Sequence, residues 1–191
     1  MVDNKNRRRS IRLRDFDYAS EGAYFITICA RLKKPYFKIY PKLRNIISEE
    51  WEFLSERFPD VTTDAFVIMP NHINGIIVKS VGATLVVAQE RAGTSPAPTI
   101  GNIVGAFKSL CVKKWLQHNK QNHATPVELF WQRNYYEHII RDEDELNLVR
   151  EYIVANPLQW VWDKYNPDNI SDVEYTKKWS WLEGKTMLER T

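Results

Sequence analysis

His72 and Asn74 stand two residues apart in the segment Met69-Pro70-Asn71-His72-Ile73-Asn74-Gly75-Ile76. Apolar runs flank it, Ala65-Phe66-Val67-Ile68 before and Ile76-Ile77-Val78 after. Both runs are rich in β-branched and aromatic side chains and read as strands. Alternate residues of a strand share a face, so His72 and Asn74 project side by side from a buried surface. An imidazole nitrogen and an amide so placed are a means of holding a divalent cation. The same pair also serves as a hydrogen-bonded polar feature beside a turn, and spacing alone leaves both readings open. A second pair, Tyr152 and Asn156, is spaced i, i+4 and shares one helical face. A phenol aligned with a phosphodiester that a cation polarises becomes a nucleophile. Its product is a 5′-phosphotyrosine and a free 3′-hydroxyl. On an amphipathic helix a tyrosine also serves simply as packing.

The elements that must position these residues follow from periodicity. Ala23-Tyr24-Phe25-Ile26-Thr27-Ile28-Cys29 is expected to be a buried strand. Residues 42–58 place Ile46, Ile47, Trp51, Leu54 and Phe58 at helical spacing, and Pro59-Asp60 ends that helix. Strands over 61–69 and 72–78 form a hairpin through Pro70-Asn71. A second helix is predicted from about Gly101 to Gln117, with His118 and His123 in a polar loop after it. Phe130 to Ile140 reads as a strand. Asp142 caps a third helix, with Glu145 in a capping box, and Leu146, Val149 and Ile153 mark its core face. Pro157 stops this helix and disfavours a helical backbone at Asn156. Strand, helix, strand, strand, helix, strand and an extra helix make an α+β, ferredoxin-like plan: an antiparallel sheet with helices on one face. The organisation expected is a basic arm over 1–14, a domain over 15–157 interrupted by a long loop over 79–99, and a C-terminal extension over 158–191.

Composition sets the class. The chain has 191 residues, 43% hydrophobic and 27% charged, as in a water-soluble globular protein. No apolar run reaches the length of a membrane span, so no membrane partner is expected. Cys29 and Cys111 sit in apolar contexts and read as reduced core residues of a cytoplasmic protein. The net charge is +3, yet residues 1–14 alone carry +5, from Lys5, Arg7, Arg8, Arg9, Arg12 and Arg14 against Asp3. A basic arm on a near-neutral body suits phosphate contacts, and also suits a solvated terminus.

Three segments taken together resemble one family. They are Phe66 to Val78, Phe130-Trp131-Gln132-Arg133-Asn134-Tyr135-Tyr136-Glu137-His138-Ile139-Ile140-Arg141, and Arg150-Glu151-Tyr152-Ile153-Val154-Ala155-Asn156-Pro157. They resemble the REP-associated tyrosine transposases, which are IS200-like transposases within the HUH single-strand endonuclease superfamily. The opening Arg7-Arg8-Arg9-Ser10-Ile11-Arg12-Leu13, Asp17-Tyr18 and Gly22-Ala23-Tyr24-Phe25 is similar too, so the likeness runs from about residue 7 to 160.

The resemblance implies a metal-dependent endonuclease and strand transferase acting on single-stranded DNA that carries palindromic hairpins, as a monomer or homodimer. It implies a ferredoxin-like fold and a Mg²⁺ or Mn²⁺ cofactor. It puts the family's His-hydrophobic-His motif on His72-Ile73-Asn74, its catalytic tyrosine on Tyr152 and its third metal ligand on Asn156. Candidate DNA contacts are Arg7, Arg8, Arg9, Arg12 and Arg14 of the basic arm, with Lys108, Arg133, Tyr136 and His138; Lys108 equally suits a solvated helix face, Tyr136 core packing and His138 a hydrogen-bonded position at a strand end. Position 74 departs from the pattern, being Asn where the family has its second His. An amide oxygen is a hard ligand that Mg²⁺ accepts, but the side chain is shorter than an imidazole. The alternative is therefore a catalytically impaired hairpin-DNA-binding protein descended from such a transposase.

Overall fold

The computed structural model describes residues 21–80, 98–123, 129–170, 173–179 and 181–182. The arm over 1–14 and most of the 79–99 loop lie outside them. Four strands, β1 (Gly22–Cys29), β2 (Val61–Ile68), β3 (His72–Lys79) and β4 (Tyr136–Ile140), form one antiparallel sheet in the order β2-β3-β1-β4. The helices are α1 (Tyr36–Ile39), α2 (Pro41–Glu52), α3 (Leu54–Arg57), α4 (Ile100–Gln121), α5 (Glu143–Ala155) and α6 (Val173–Trp179). A 3-10 helix, Asn156–Trp162, continues α5. This is the α+β arrangement expected, with α2 and α4 packed on one face and a helical extension at the C-terminus.

The central strands are apolar on both faces because both faces are covered. Tyr24, Ile26, Ile28, Ile73 and Ile77 meet Leu43, Ile47 and Trp51 of α2 and Ile103, Phe107 and Cys111 of α4. On the other face Phe25 and Ile76 meet Val149, Tyr152 and Ile153 of α5, with Trp179 of α6 and Leu182. A close approach explains Gly75. A Cβ there would lie 2.4 Å from Trp51 Cζ2 and 3.0 Å from Phe66 Cδ2, where the indole stacks on the Phe66 ring at 4.5 Å. No side chain fits in that gap.

The local signals explain where the elements begin. Pro41 occupies the first turn of α2, where its missing N–H costs nothing. Thr99 and Asn102 form a reciprocal capping box on α4. Asp142 Oδ1 accepts from Glu145 N at 2.8 Å and starts α5.

Five expectations need correction. The helix over 42–58 is broken at Phe53, and the short α1 precedes it. α4 runs on to Gln121, because Asn119 is buried and donates to Trp115 O, and His118 stacks on Trp115. Only Tyr136–Ile140 of the predicted 130–140 strand joins the sheet, although Trp131 bridges to Ala30. Between them Lys108 Nζ donates to Gln132 O and Arg133 O, which leads those carbonyls away from a ladder. Glu145 closes no box with Asp142: its carboxylate accepts from Arg141 N and meets His138 instead. Asn156 is helical, at φ −49° and ψ −47°, despite Pro157. Its side chain is held at both ends by buried hydrogen bonds, and these outweigh the local steric preference.

Candidate functional site

β1 and β3 pair so that Thr27 lies opposite Asn74 and Cys29 opposite His72. These residues extend the Phe25 and Ile76 face toward one end of the sheet, and α5 lays Tyr152 and Asn156 across it. His72, Asn74, Asn156 and Asp163 are each no more than 1% exposed. Buried polar groups at this density call for partners, and Thr27, Asn74 and Asn156 supply them to one another. Thr27 Oγ1 donates to Asn74 Oδ1 at 2.7 Å, and Asn74 Nδ2 donates to Asn156 Oδ1 at 2.8 Å. Asn156 Nδ2 donates to the Tyr152 carbonyl at 2.6 Å. Backbone and side chain of α5 are thereby tied to the His72 strand.

Carbonyl groups fix the orientation of every amide. The Tyr152 carbonyl can only accept, so Asn156 must turn Nδ2 toward it and Oδ1 toward Asn74. Asn74 therefore presents its NH₂ to the cluster, with Nδ2 also 3.3 Å from His72 Nε2. At the other end Asn71 Nδ2 donates to Lys33 O and Tyr165 O. Its Oδ1 faces His72 Nδ1 at 3.0 Å, so Nδ1 carries the proton and Nε2 the lone pair. Burial lowers the His72 pKa to about 3, with Lys164 and Lys33 adding to the effect, so the ring is neutral. Asp163 Oδ2 approaches that Nε2 to 3.6 Å. The Tyr165 ring covers the imidazole at 4.7 Å, and Lys33 Nζ and Lys164 Nζ each lie 5.1 Å from the Tyr165 ring centre. The mouth of the cluster is therefore basic and aromatic.

Tyr152 is 2% exposed. Its ring packs edge-on against Phe25 at 5.8 Å and lies 5.1 Å from Trp179. Such aromatic pairs are worth about 0.5–1.5 kcal/mol beyond area burial. α5 is docked further by Arg150, whose Nη2 and Nε contact Asp64 Oδ2 at 2.6 and 3.0 Å. Asp64 lies at the irregularity where β2 shifts register between Thr63 and Phe66.

The remaining residues singled out in the sequence are spread more widely. Tyr136 pairs with Thr27 across the ladder and packs against Phe25. His138 Nε2 contacts Glu145 Oε1 at 2.8 Å and lies toward Trp181, away from Asn74. Lys108 is committed to the two carbonyls above, and burial lowers its pKa to about 8. Arg133 lines an open groove of about 820 Å³ with Arg31, Lys33, Leu32, Leu129 and Trp131. Leu32 displays its side chain there from a left-handed backbone, φ 56°, and is 76% exposed. Arg7, Arg8, Arg9, Arg12 and Arg14 lie outside the described residues. Sequence reasoning missed Thr27, Asn71, Asp163, Lys164 and Tyr165. The run Asp163-Lys164-Tyr165 lies in a stretch without periodicity, where the one available signal was an acid, a base and an aromatic side by side.

Among the described residues no three His, Cys, Asp or Glu side chains gather in a way that could hold a metal ion. The cluster has one imidazole and one carboxylate, and its other polar side chains are amides and the Thr27 hydroxyl. Nor is any helix among them long and apolar enough to cross a membrane.

Fold and site together define an α+β protein of ferredoxin-like plan, with a buried histidine–amide cluster beneath an added helix that bears a tyrosine. An "Uncharacterized protein" of Haemophilus influenzae is 42% identical over 177 residues, covering 84% of this chain and 94% of its own length, and the chain belongs to its family. A second H. influenzae protein, named "Putative REP-associated tyrosine transposase", is 27% identical over 164 residues, covering 85% of this chain and 80% of its own. The chain is thus similar, at low to moderate identity, to the REP-associated tyrosine transposases. A solved REP-associated tyrosine transposase bound to a REP hairpin aligns over 75% of this chain and 70% of its own, at 19% identity and a TM-score of 0.49. No protein-family model matches.

Proposed function

We propose that this chain binds single-stranded DNA folded into hairpins and cleaves it with Tyr152 as nucleophile. One observation carries the reading: Asn156 follows Tyr152 by one helical turn and is bonded through Asn74 to the His72 strand. A nucleophile is thereby held one turn from a buried polar cluster, as phosphodiester transfer through tyrosine requires. In that reaction the Tyr152 Oη–P bond forms and the phenolic proton is released. The P–O3′ bond breaks, and the 3′-oxygen leaves with a proton as a free hydroxyl. The 5′-phosphotyrosine retains the energy of the broken bond for rejoining. Mg²⁺ or Mn²⁺ supplies polarisation of the phosphate when bound, and His72 Nε2 and Asn156 Oδ1 are the lone-pair donors that face the cluster. Lys33 and Lys164 at its mouth attract the phosphate backbone. The groove along Arg31, Lys33 and Arg133 joins this mouth through Lys33 and offers Leu32 and Trp131 to unpaired bases. Tyr152 is 2% exposed with its ring against Phe25 and Trp179, so its hydroxyl must be uncovered before DNA reaches it.

Two observations favour a second reading, a hairpin-binding protein that does not cleave. Asn74 directs a donor, not a lone pair, into the cluster, and Tyr152 is covered. One experiment decides between them. The full chain is incubated with hairpin oligonucleotides from the flanks of its own gene and Mn²⁺, then run under denaturing conditions. A covalent adduct is expected for the wild type and none for Tyr152→Phe, which keeps the ring and binds the hairpin as before. Adduct in the Phe variant would assign the attack to another residue. Hairpin binding with no wild-type adduct would establish the second reading.

A further inference from the structure

We propose that Asn71 is a positioning residue, fixing the His72 ring so that its Nε2 lone pair faces the cluster. The inference rests on the reading of the cluster as a phosphodiester-transfer site.

A neutral imidazole carries a proton on one nitrogen and a lone pair on the other, and only one of its two tautomers turns the lone pair inward. The partner of either nitrogen decides which tautomer forms. Asn71 Oδ1 lies 3.0 Å from His72 Nδ1, and both residues are no more than 1% exposed. The Asn71 amide cannot turn over, because its Nδ2 donates to two carbonyls, Lys33 O at 2.9 Å and Tyr165 O at 2.6 Å. Reversal would set an oxygen against two oxygens, with no water to intervene. The Asn71 backbone is pinned as well, since Ala30 N donates to its carbonyl at 2.7 Å. Contacts at the other ring nitrogen are longer. Asn74 Nδ2 lies 3.3 Å from Nε2, and Asp163 Oδ2 lies 3.6 Å from it, beyond hydrogen-bond reach. The bond at Nδ1 therefore sets the tautomer. The Lys33 carbonyl meets Asn71 from a left-handed backbone, with φ 56° at Leu32 and 53° at Lys33. Side chains rarely adopt that conformation, and it persists where surrounding contacts hold it. The turn after β1, the β2–β3 turn and the 163–165 run thus converge on one amide.

The tautomer can be read directly, without DNA or metal, from two-bond proton–nitrogen correlation spectra of the full chain labelled at its histidine rings. The chain has four histidines, and His72→Gln identifies the His72 pattern by its loss. The wild type should show Nδ1 protonated and Nε2 bare, the reverse of the form that a free imidazole side chain favours. Asn71→Ala should give the Nε2–H form or a mixture. Asn71→Asp keeps an oxygen beside Nδ1 and loses only the donors to the two carbonyls, so it should keep Nδ1 protonated. It thereby separates the hold on the ring from any loosening of the turns. Asn74→Ala, which removes the contact at Nε2, should also keep Nδ1 protonated. A wild-type His72 in the Nε2–H form would overturn the proposal whatever the variants do, and so would an unchanged tautomer in Asn71→Ala. In the Mn²⁺ adduct assay Asn71→Ala should react about 10–100-fold more slowly, with hairpin affinity in EDTA unchanged and part of the rate recovered in Asn71→Asp. Equal rates would overturn the positioning role. The expected tautomers without any wild-type adduct would reject the cleavage reading and support the hold of Asn71 on the ring.

Discussion

The two faces of the sheet are built on opposite rules. The face beneath α2 and α4 is apolar at its centre, with charges confined to ion pairs, Lys79 with Asp60 and Lys114 with Glu50, and shape sets the quality of that centre: Trp51 lies so close to β3 that residue 75 has no room for a methyl group. The face beneath α5 begins in the same way, with Phe25, Ile76 and Tyr152, then changes within one strand repeat to Thr27, Asn74 and His72. There, hydrogen-bond direction matters more than volume. An apolar interior tolerates changes that conserve volume, whereas a polar one fails when a single partner is lost. A fold that keeps one face for stability leaves the other free to carry buried polar groups that contribute little to it.

Neighbouring residues allow this contrast to be tested, because Asn74 and Gly75 point to opposite faces. Gly75→Ala should have the larger effect. Its Cβ would lie 2.4 and 2.6 Å from two Trp51 ring carbons, which are themselves fixed against Phe66 and Phe107. A cost of about 3 kcal/mol is expected, lowering the melting temperature by roughly 6–12 °C. Trp51→Leu in the same chain should recover part of that loss, because the clash is with the indole. Additive losses in the double variant would mean that strain lies elsewhere and that shape does not set this face. Asn74→Ala should cost about 1–3 kcal/mol, through donors and acceptors left unpaired on Thr27, His72 and Asn156. Double-mutant cycles should couple position 74 to Thr27 and Asn156 and not to Trp51. Coupling across the sheet to Trp51 would break the contrast between the faces.

The difference between the faces also governs what was legible in the sequence. Apolar periodicity is redundant, so losing one signal seldom misplaces an element: β1, the hairpin, α4 and α5 all follow from it. The His72 and Asn74 pairing was legible because strand alternation is rigid. So was the sharing of a face by Tyr152 and Asn156, because it needs only the helical repeat. Asp163 was not, since it lies after the 3-10 segment, where no period relates it to His72, 91 positions earlier. The direction of the Asn74 amide was hidden as well, being set by a backbone carbonyl on another element. The Pro157 rule misled at Asn156 for a related reason: a hydrogen bond from Asn74 on a distant strand, with one to the Tyr152 carbonyl a turn earlier, overrode a local preference. Trp179 covers Tyr152 from the C-terminal extension, which reads only as a Trp- and Asn-rich stretch.

The smallest expected effect concerns how each helix layer is held at its edge. α5 is docked over β2 partly by Arg150 and Asp64, both partly exposed. The Arg150 hydrogen bond lowers the Asp64 pKa below its usual 3.8. A carboxyl whose folded pKa is lowered stabilises the fold above its unfolded pKa, and that contribution is lost as pH falls through the folded value. Asp64→Asn should therefore melt slightly below the wild type at neutral pH, with the gap closing in acid. Solvent and salt screen the pair, so the neutral-pH difference should be small and should shrink in high salt. Trp179 lies on the α5 face and Trp51 on the other, so a chain with each as its only tryptophan would report the faces separately. Acid should shift the Trp179 signal before the Trp51 signal, and Asp64→Asn should bring the Trp179 change to milder acid. If both signals move together in wild type and variant alike, the two faces unfold as one unit, and the contrast between them is one of chemistry rather than of stability.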